Sequence, residues 1–266
     1  MYTPEFSFVS FWDEGSLDET RHATSLPYVS TDDIAFQVIS VAPITAVVMT
    51  DMEGNTIEET NREILNYNDA HFIKPQFTSR PDCFRLILKS GWDIVSGFSN
   101  VFVLVDDDEQ TSVVAYCSDG DSFGFSYGIG AFMNKVRLPL QLMDVKFSQT
   151  RDVYGTLSGR QKILSASVRN EYDIDTDYMT EEMHRNLIIA LMHDEVYISG
   201  QLLTQTGDYS VDWGNYLMSG DTKTAKGKCT VSANVVSRSS NCSQEPKMQL
   251  VNDDFDLTND DFDLIN

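Results

Sequence analysis

The sequence predicts a mainly β, α+β protein: two β-sandwich or barrel-like modules with one principal helix. Three observations carry this. Short β-branched runs are punctuated by polar, proline and glycine turns. Only one segment shows sustained helical periodicity. Hydrophobic residues make up 41% of 266 residues, enough apolar mass for a sizeable core.

The first module, residues 1–132, reads as strands. Phe36–Val41 and Ile44–Met49 are short apolar runs separated by Pro43. Cys83–Leu88 alternates. Val101–Val105 is continuously apolar, as in a strand buried on both faces, and Asp106–Glu109 reads as a turn. Ser112–Tyr116 then returns, so the pair predicts a hairpin. Residues 119–130 are rich in glycine and aromatics, but Gly124, Gly128 and Gly130 do not make a dinucleotide fingerprint.

The second module, residues 133–244, continues extended. Pro139 bars a helix at 136–139, Ser158–Arg160 marks a turn, and Lys162–Arg169 reads as a strand. The helix spans about 180–193. Thr180 suits its N-cap, and Glu181 and Glu182 sit where the helix dipole favours negative charge. Met183, Leu187 and Leu191 recur at helical spacing, with Ile188, Ala190 and Met192 widening the apolar face. Val196–Ser199, Asp208–Trp213 and Cys229–Val236 return to strand patterns.

Residues 245–266 differ from everything before them. Asn252-Asp-Asp-Phe-Asp-Leu257 recurs as Asn259-Asp-Asp-Phe-Asp-Leu264, with a seven-residue period. Seven acids face one lysine, so this tail carries −6 of the chain's −22. So few apolar residues cannot support a fold, and the expectation is a disordered or partner-ordered tail. The alternating apolar pairs suit strand addition or a groove on a partner. The candidate partner-binding residues are Asp253, Asp254, Phe255, Asp256, Leu257, Asp260, Asp261, Phe262, Asp263 and Leu264. Two copies offer avidity where both docking sites are reachable.

Acids outnumber bases 41 to 19. That excess argues against a duplex nucleic-acid binder and against reliance on anionic lipid. The N-terminus has no basic start before its aromatic stretch, so no signal peptide is expected there. No apolar segment is long enough to predict membrane insertion. The four scattered cysteines read as reduced thiols from cytosolic synthesis; a Cys229–Cys242 bridge has no support in the spacing. Zinc-ligand spacing is missing, and no cofactor is expected.

Chemistry finds no frame in the sequence. There is no nucleophile elbow, phosphate-binding loop or paired-histidine zinc motif. His184 and His193 are nine residues apart and read as exposed or helix-end side chains. Asp173, Asp175 and Asp177 open like a calcium loop, but Tyr178 replaces its glycine and His184 its final acid. Trp12, Trp92 and Trp213 lie near β segments and predict core or interface packing over sugar platforms. No catalytic or metal residue is assigned, and no enzyme is expected.

Several stretches share a likeness: CFRLIL from residue 83, SDGDSFGF at 118–125, NKVRLPLQL at 134–142, the run from Arg151 to Gly200, and GDYSVDW at 207–213. Their succession resembles structural proteins of tailed bacteriophages and prophages of Bacteroides-type gut bacteria, including crAss-like phages. The doubled DDFDL end is similar to endings on some of these proteins. The resemblance covers about half the chain and implies a non-enzymatic virion subunit of the tail, neck ring or tail tip. It also implies synthesis in the bacterial host cytoplasm, other virion proteins as partners, and a homo-oligomeric ring. The alternative is a carbohydrate- or receptor-binding module at the virion surface, with Trp92 and Trp213 as platforms. A virion-associated hydrolase is a third class and needs acids clustered in a cleft.

Overall fold

The computed structural model describes residues 7–12, 25–67, 69–106, 110–118, 121–122, 125–126, 132–155, 159–219 and 222–239. It is mainly β, with several antiparallel sheets and, among the described residues, one α-helix. The predicted fold class is therefore met. The chain divides into two compact units. One comprises residues 1–146 with 171–233, the other residues 147–170 with 234–266.

Within the larger unit, one sheet runs in the order Leu26–Tyr28, Phe102–Leu104, Cys83–Ser90, Ala46–Thr50, Thr56–Thr60. Ala46–Thr50 is buried at every position, as a central strand covered on both faces must be. A separate three-stranded sheet is formed by Phe36–Ile39, Ala70–Ile73 and Ile64–Tyr67.

The predicted hairpin of Val101–Val105 with Ser112–Tyr116 does not form. Phe102–Leu104 instead runs parallel to Leu26–Tyr28 and pairs antiparallel with Cys83–Phe84. Distant aromatic burial outweighs the local turn: Phe102 stacks on Phe84 at 4.9 Å and 8°. Val103 is 37% exposed, so this strand is covered on one face only. Ser112–Cys117 pairs with Asn134–Leu138 and Glu195–Ile198. Residues 107–109 of the expected turn lie outside the described residues.

The second large sheet runs Asn134–Leu138, Ser112–Cys117, Glu195–Ile198, Gln201–Gln205, Gly227–Ser239, Gln161–Thr176, Leu140–Gly155. Its first and last strands are consecutive in sequence, joined through Pro139 alone. Pro139 cannot donate a ladder hydrogen bond, and since one residue spans only about 3.5 Å, the two ends of the strand order meet there. Leu138 and Leu140 on either side are both fully buried. The Asn134–Leu138 strand alternates buried and half-buried residues, sending Val136 and Leu138 inward.

The helix Glu181–Leu191 begins as the sequence predicts. The Thr180 side chain accepts a hydrogen bond from the Met183 N–H at 3.2 Å, and Glu181 and Glu182 occupy the first turn. Met183, Leu187, Ala190 and Leu191 are buried. Met192 closes the helix and is exposed, so it does not widen the apolar face. Asp208–Trp213 gives only the short strand Ser210–Val211, followed by a 3-10 turn at Trp213–Asn215. The Asp212 carboxylate accepts from the Gly214 N–H and the Asn215 amide, which turns the chain away from the sheet.

Candidate functional site

The candidate tail residues, Asp253 to Leu257 and Asp260 to Leu264, lie outside the described residues. The described elements build three candidate surfaces.

The first is the hairpin of the smaller unit, residues 147–155 and 161–170. The Thr150 and Ser167 hydroxyls share a hydrogen bond at 2.6 Å, and Ser165 donates to Asp152. These contacts place Thr150, Asp152, Ser165 and Ser167 on one polar face. Period-two alternation then assigns Phe147, Gln149, Arg151 and Val153, with Leu164, Ala166 and Val168, to the other. On that face Phe147 is 77% exposed, Val153 51% and Leu164 40%. Gln149 accepts from Arg151 beside it, so a polar pair interrupts the apolar stripe. Ile163, also exposed, is the apolar exception on the polar face. Among the described residues the outer strand ends its sheet, leaving one row of backbone groups without a described neighbouring strand in that sheet.

The second surface is a groove of about 660 Å³ on the outer face of the second large sheet. Register explains it. Lys135, Ala115 and Tyr197 stand in one row across three strands, and Arg137 and Val113 are opposite each other in the next. Small Ala115 and Val113 lie between the long cations and the tyrosine ring, so the sheet dips there. Met133 also lines the groove. Arg137 is fixed by a two-bond ion pair to Asp32, at 2.6 and 2.9 Å, and by Thr111 at 2.9 Å. Lys135 makes a looser 3.5 Å pair with Asp33 and stays one-third exposed. Tyr197 donates to Glu195.

The third is the tip at Trp92. Ser90 pairs with Asp93, so Gly91 and Trp92 form a two-residue turn. Gly91 takes φ +62°, which glycine adopts without the strain a side chain would bring. Its N–H donates to the Thr45 hydroxyl at 2.6 Å. Trp92 at this tip is 99% exposed, and Ile94 is 61% exposed. Of the expected core or interface packing, the core alternative fails for Trp92, because the turn aims it into solvent. Trp213 is 38% exposed and packs edge-on against His184. Of Trp12 only the backbone is described, in a short strand with Phe98–Ser99.

The expected exposure of His184 and His193 fails: both are buried, although His193 does stand at the helix end, directly after the Met192 cap. His184 contacts the Tyr209 hydroxyl at 2.6 Å through Nδ1 and the Ala225 carbonyl at 2.9 Å through Nε2. The carbonyl only accepts, so Nε2 carries the proton and Nδ1 accepts from Tyr209. His193 contacts the Ile189 carbonyl at 2.9 Å. Burial pushes both imidazoles below the ordinary histidine range. Burial likewise raises the Tyr209 phenol, and pushes the Cys229 thiol up to about 12.

The calcium-like aspartates lie on or just beyond one strand, two residues apart, and each faces a lysine. Asp173 pairs with Lys146 at 2.7 Å, Asp175 with Lys228 at 3.5 Å and Asp177 with Lys226 at 3.2 Å. Asp173 also accepts from Thr230, and the Lys146 bond holds its carboxyl below the usual range. Among the described residues no cluster of histidine, cysteine or acids could hold a metal ion. Also among them, no helix is long and apolar enough to cross a membrane.

No protein-family model matches the chain, and neither a curated protein nor a solved structure shows significant similarity to it.

Proposed function

We propose that this chain is a non-enzymatic structural subunit of a tailed-phage virion, in the tail, neck ring or tail tip. The observation that carries the reading is the amphipathic hairpin of residues 147–155 and 161–170. A long sheet edge beside exposed Phe147, Val153 and Leu164 is an aggregation hazard in a free monomer and a docking surface in an assembly. The sequence resemblance over residues 151–213 supports the same class. Two of the residues best suited to catalysis are committed elsewhere: His184 to Tyr209 and Ala225, and Asp173 to Lys146 and Thr230. The repeated NDDFDL segment docks a neighbouring virion protein in this reading.

The test is quantitative mass spectrometry of density-purified phage particles. The chain is expected in many copies per particle, in fixed ratio to the other tail proteins. Its absence from purified particles, with abundance in the lysate, would overturn the reading.

A further inference from the structure

We propose that the Trp92 tip of one copy seats in the Val113–Ala115–Tyr197 groove of a second copy. This deepens the assembly reading and rests on it. Three observations meet here. The first is presentation. The two-residue turn and the Gly91–Thr45 hydrogen bond hold an indole almost wholly in water. Tryptophan anchors interfaces more than most residues because its large apolar surface orders at little entropic cost. The second is size. A groove of 660 Å³ falls within the roughly 300–1,000 Å³ of sites that enclose a ligand-sized group. It takes one indole with Ile94 beside it.

The third is charge. Exposed Asp93 follows Trp92, and one-third-exposed Lys135 stands on the groove wall. An exposed 3.5 Å pair such as Lys135–Asp33 is weak enough to be exchanged for Asp93. The same ammonium also favours an aromatic face in the groove. The NDDFDL tail fits this groove less well. Asp32, Asp33 and Glu195 already border it, and they would repel a segment with three acids per repeat. A tip with a single acid meets less of that repulsion. Tip and groove are different surfaces of one chain, so copies related by a two-fold axis exchange the contact reciprocally, and any other rotation makes it head-to-tail. A head-to-tail contact closes into a ring or extends as a filament according to the rotation between copies.

Sedimentation velocity of the full chain over a concentration series tests the contact. Trp92 and Asp93 are exposed, so their variants keep the fold, which circular dichroism verifies. W92A is expected to weaken self-association about thirtyfold or more, the loss typical of an interface anchor. D93K and K135E should each weaken it, and the D93K/K135E double variant should recover it. Wild-type-like association of W92A, no recovery in the double variant, or a wild-type chain monomeric throughout would each overturn the contact. So would loss of association on deleting residues 245–266 while W92A still associates, since that assigns the contact to the tail. Particle mass spectrometry is independent of these outcomes. A chain present in virions but indifferent to W92A refutes the tip-and-groove contact alone.

Discussion

A Cβ at position 227 would lie 2.7 Å from Tyr209 Cζ and 3.0 Å from His184 Cε1, with the Tyr209 hydroxyl closer still. Gly227 is thus the floor on which the buried His184–Tyr209 pair rests. Gly227→Ala is expected to cost about 1–3 kcal/mol through overpacking, read as a lower thermal midpoint. An unchanged midpoint would contradict this packing. Buried His184 and His193 also set a pH dependence. Burial lowers their folded pKa, so the unfolded chain protonates first, near pH 6.5. Their contribution to stability is fully present above that pH and is lost as pH falls towards the folded values. The urea midpoint should therefore drop between pH 7.5 and pH 5.5, and a flat profile would count against neutral buried imidazoles. Little of this was legible in the sequence. A histidine on an otherwise apolar helix face looks the same whether its partner is water or a tyrosine 25 residues away. Thr180 was legible because a cap acts on its own next turn. For Trp92 the sequence left core and interface packing undivided, because Gly91 marks a turn without showing where the neighbouring ring points.

At the scale of elements, local signals decided well and long-range pairing did not. Strand positions such as Ala46–Thr50 and Cys83–Ser90 follow from β-branched and apolar composition alone. Their partners do not. The apolar strand Phe102–Leu104 finds Leu26–Tyr28, far away in sequence, because aromatic stacking on Phe84 outweighs closing a short loop. The hairpin of residues 147–155 and 161–170 is the element on which the proposed assembly role rests, and its amphipathic character emerges only once the register is known. Aspartates at Phe147 and Leu164 would place charge on its apolar face. The F147D/L164D variant is expected to reduce particle incorporation while leaving the unfolding free energy within about 0.5 kcal/mol of wild type, as exposed sites allow. Normal incorporation of this variant would remove the hairpin from the assembly surface.

For the whole molecule, the net charge of −22 divides unequally. The tail from Glu245 contributes −6, and the remainder includes aspartates such as Asp32, Asp173, Asp175 and Asp177 that pair with cations in the fold. The calcium-like spacing of the last three was visible in sequence. The lysines that neutralise them, Lys146, Lys226 and Lys228, come from other strands and their edges, and only the fold brings them together. Deleting residues 245–266 should leave the folded body intact and lower incorporation into particles, measured by immunoblot of purified virions. Undiminished incorporation would make the repeat a solubilising segment. The most direct measurement of the central claim is cryo-microscopy of whole purified particles. Density for this β-rich fold is expected in repeated copies around the tail axis, with neighbouring copies in contact. Particles whose tail, neck and tip densities are all accounted for by other chains would contradict it.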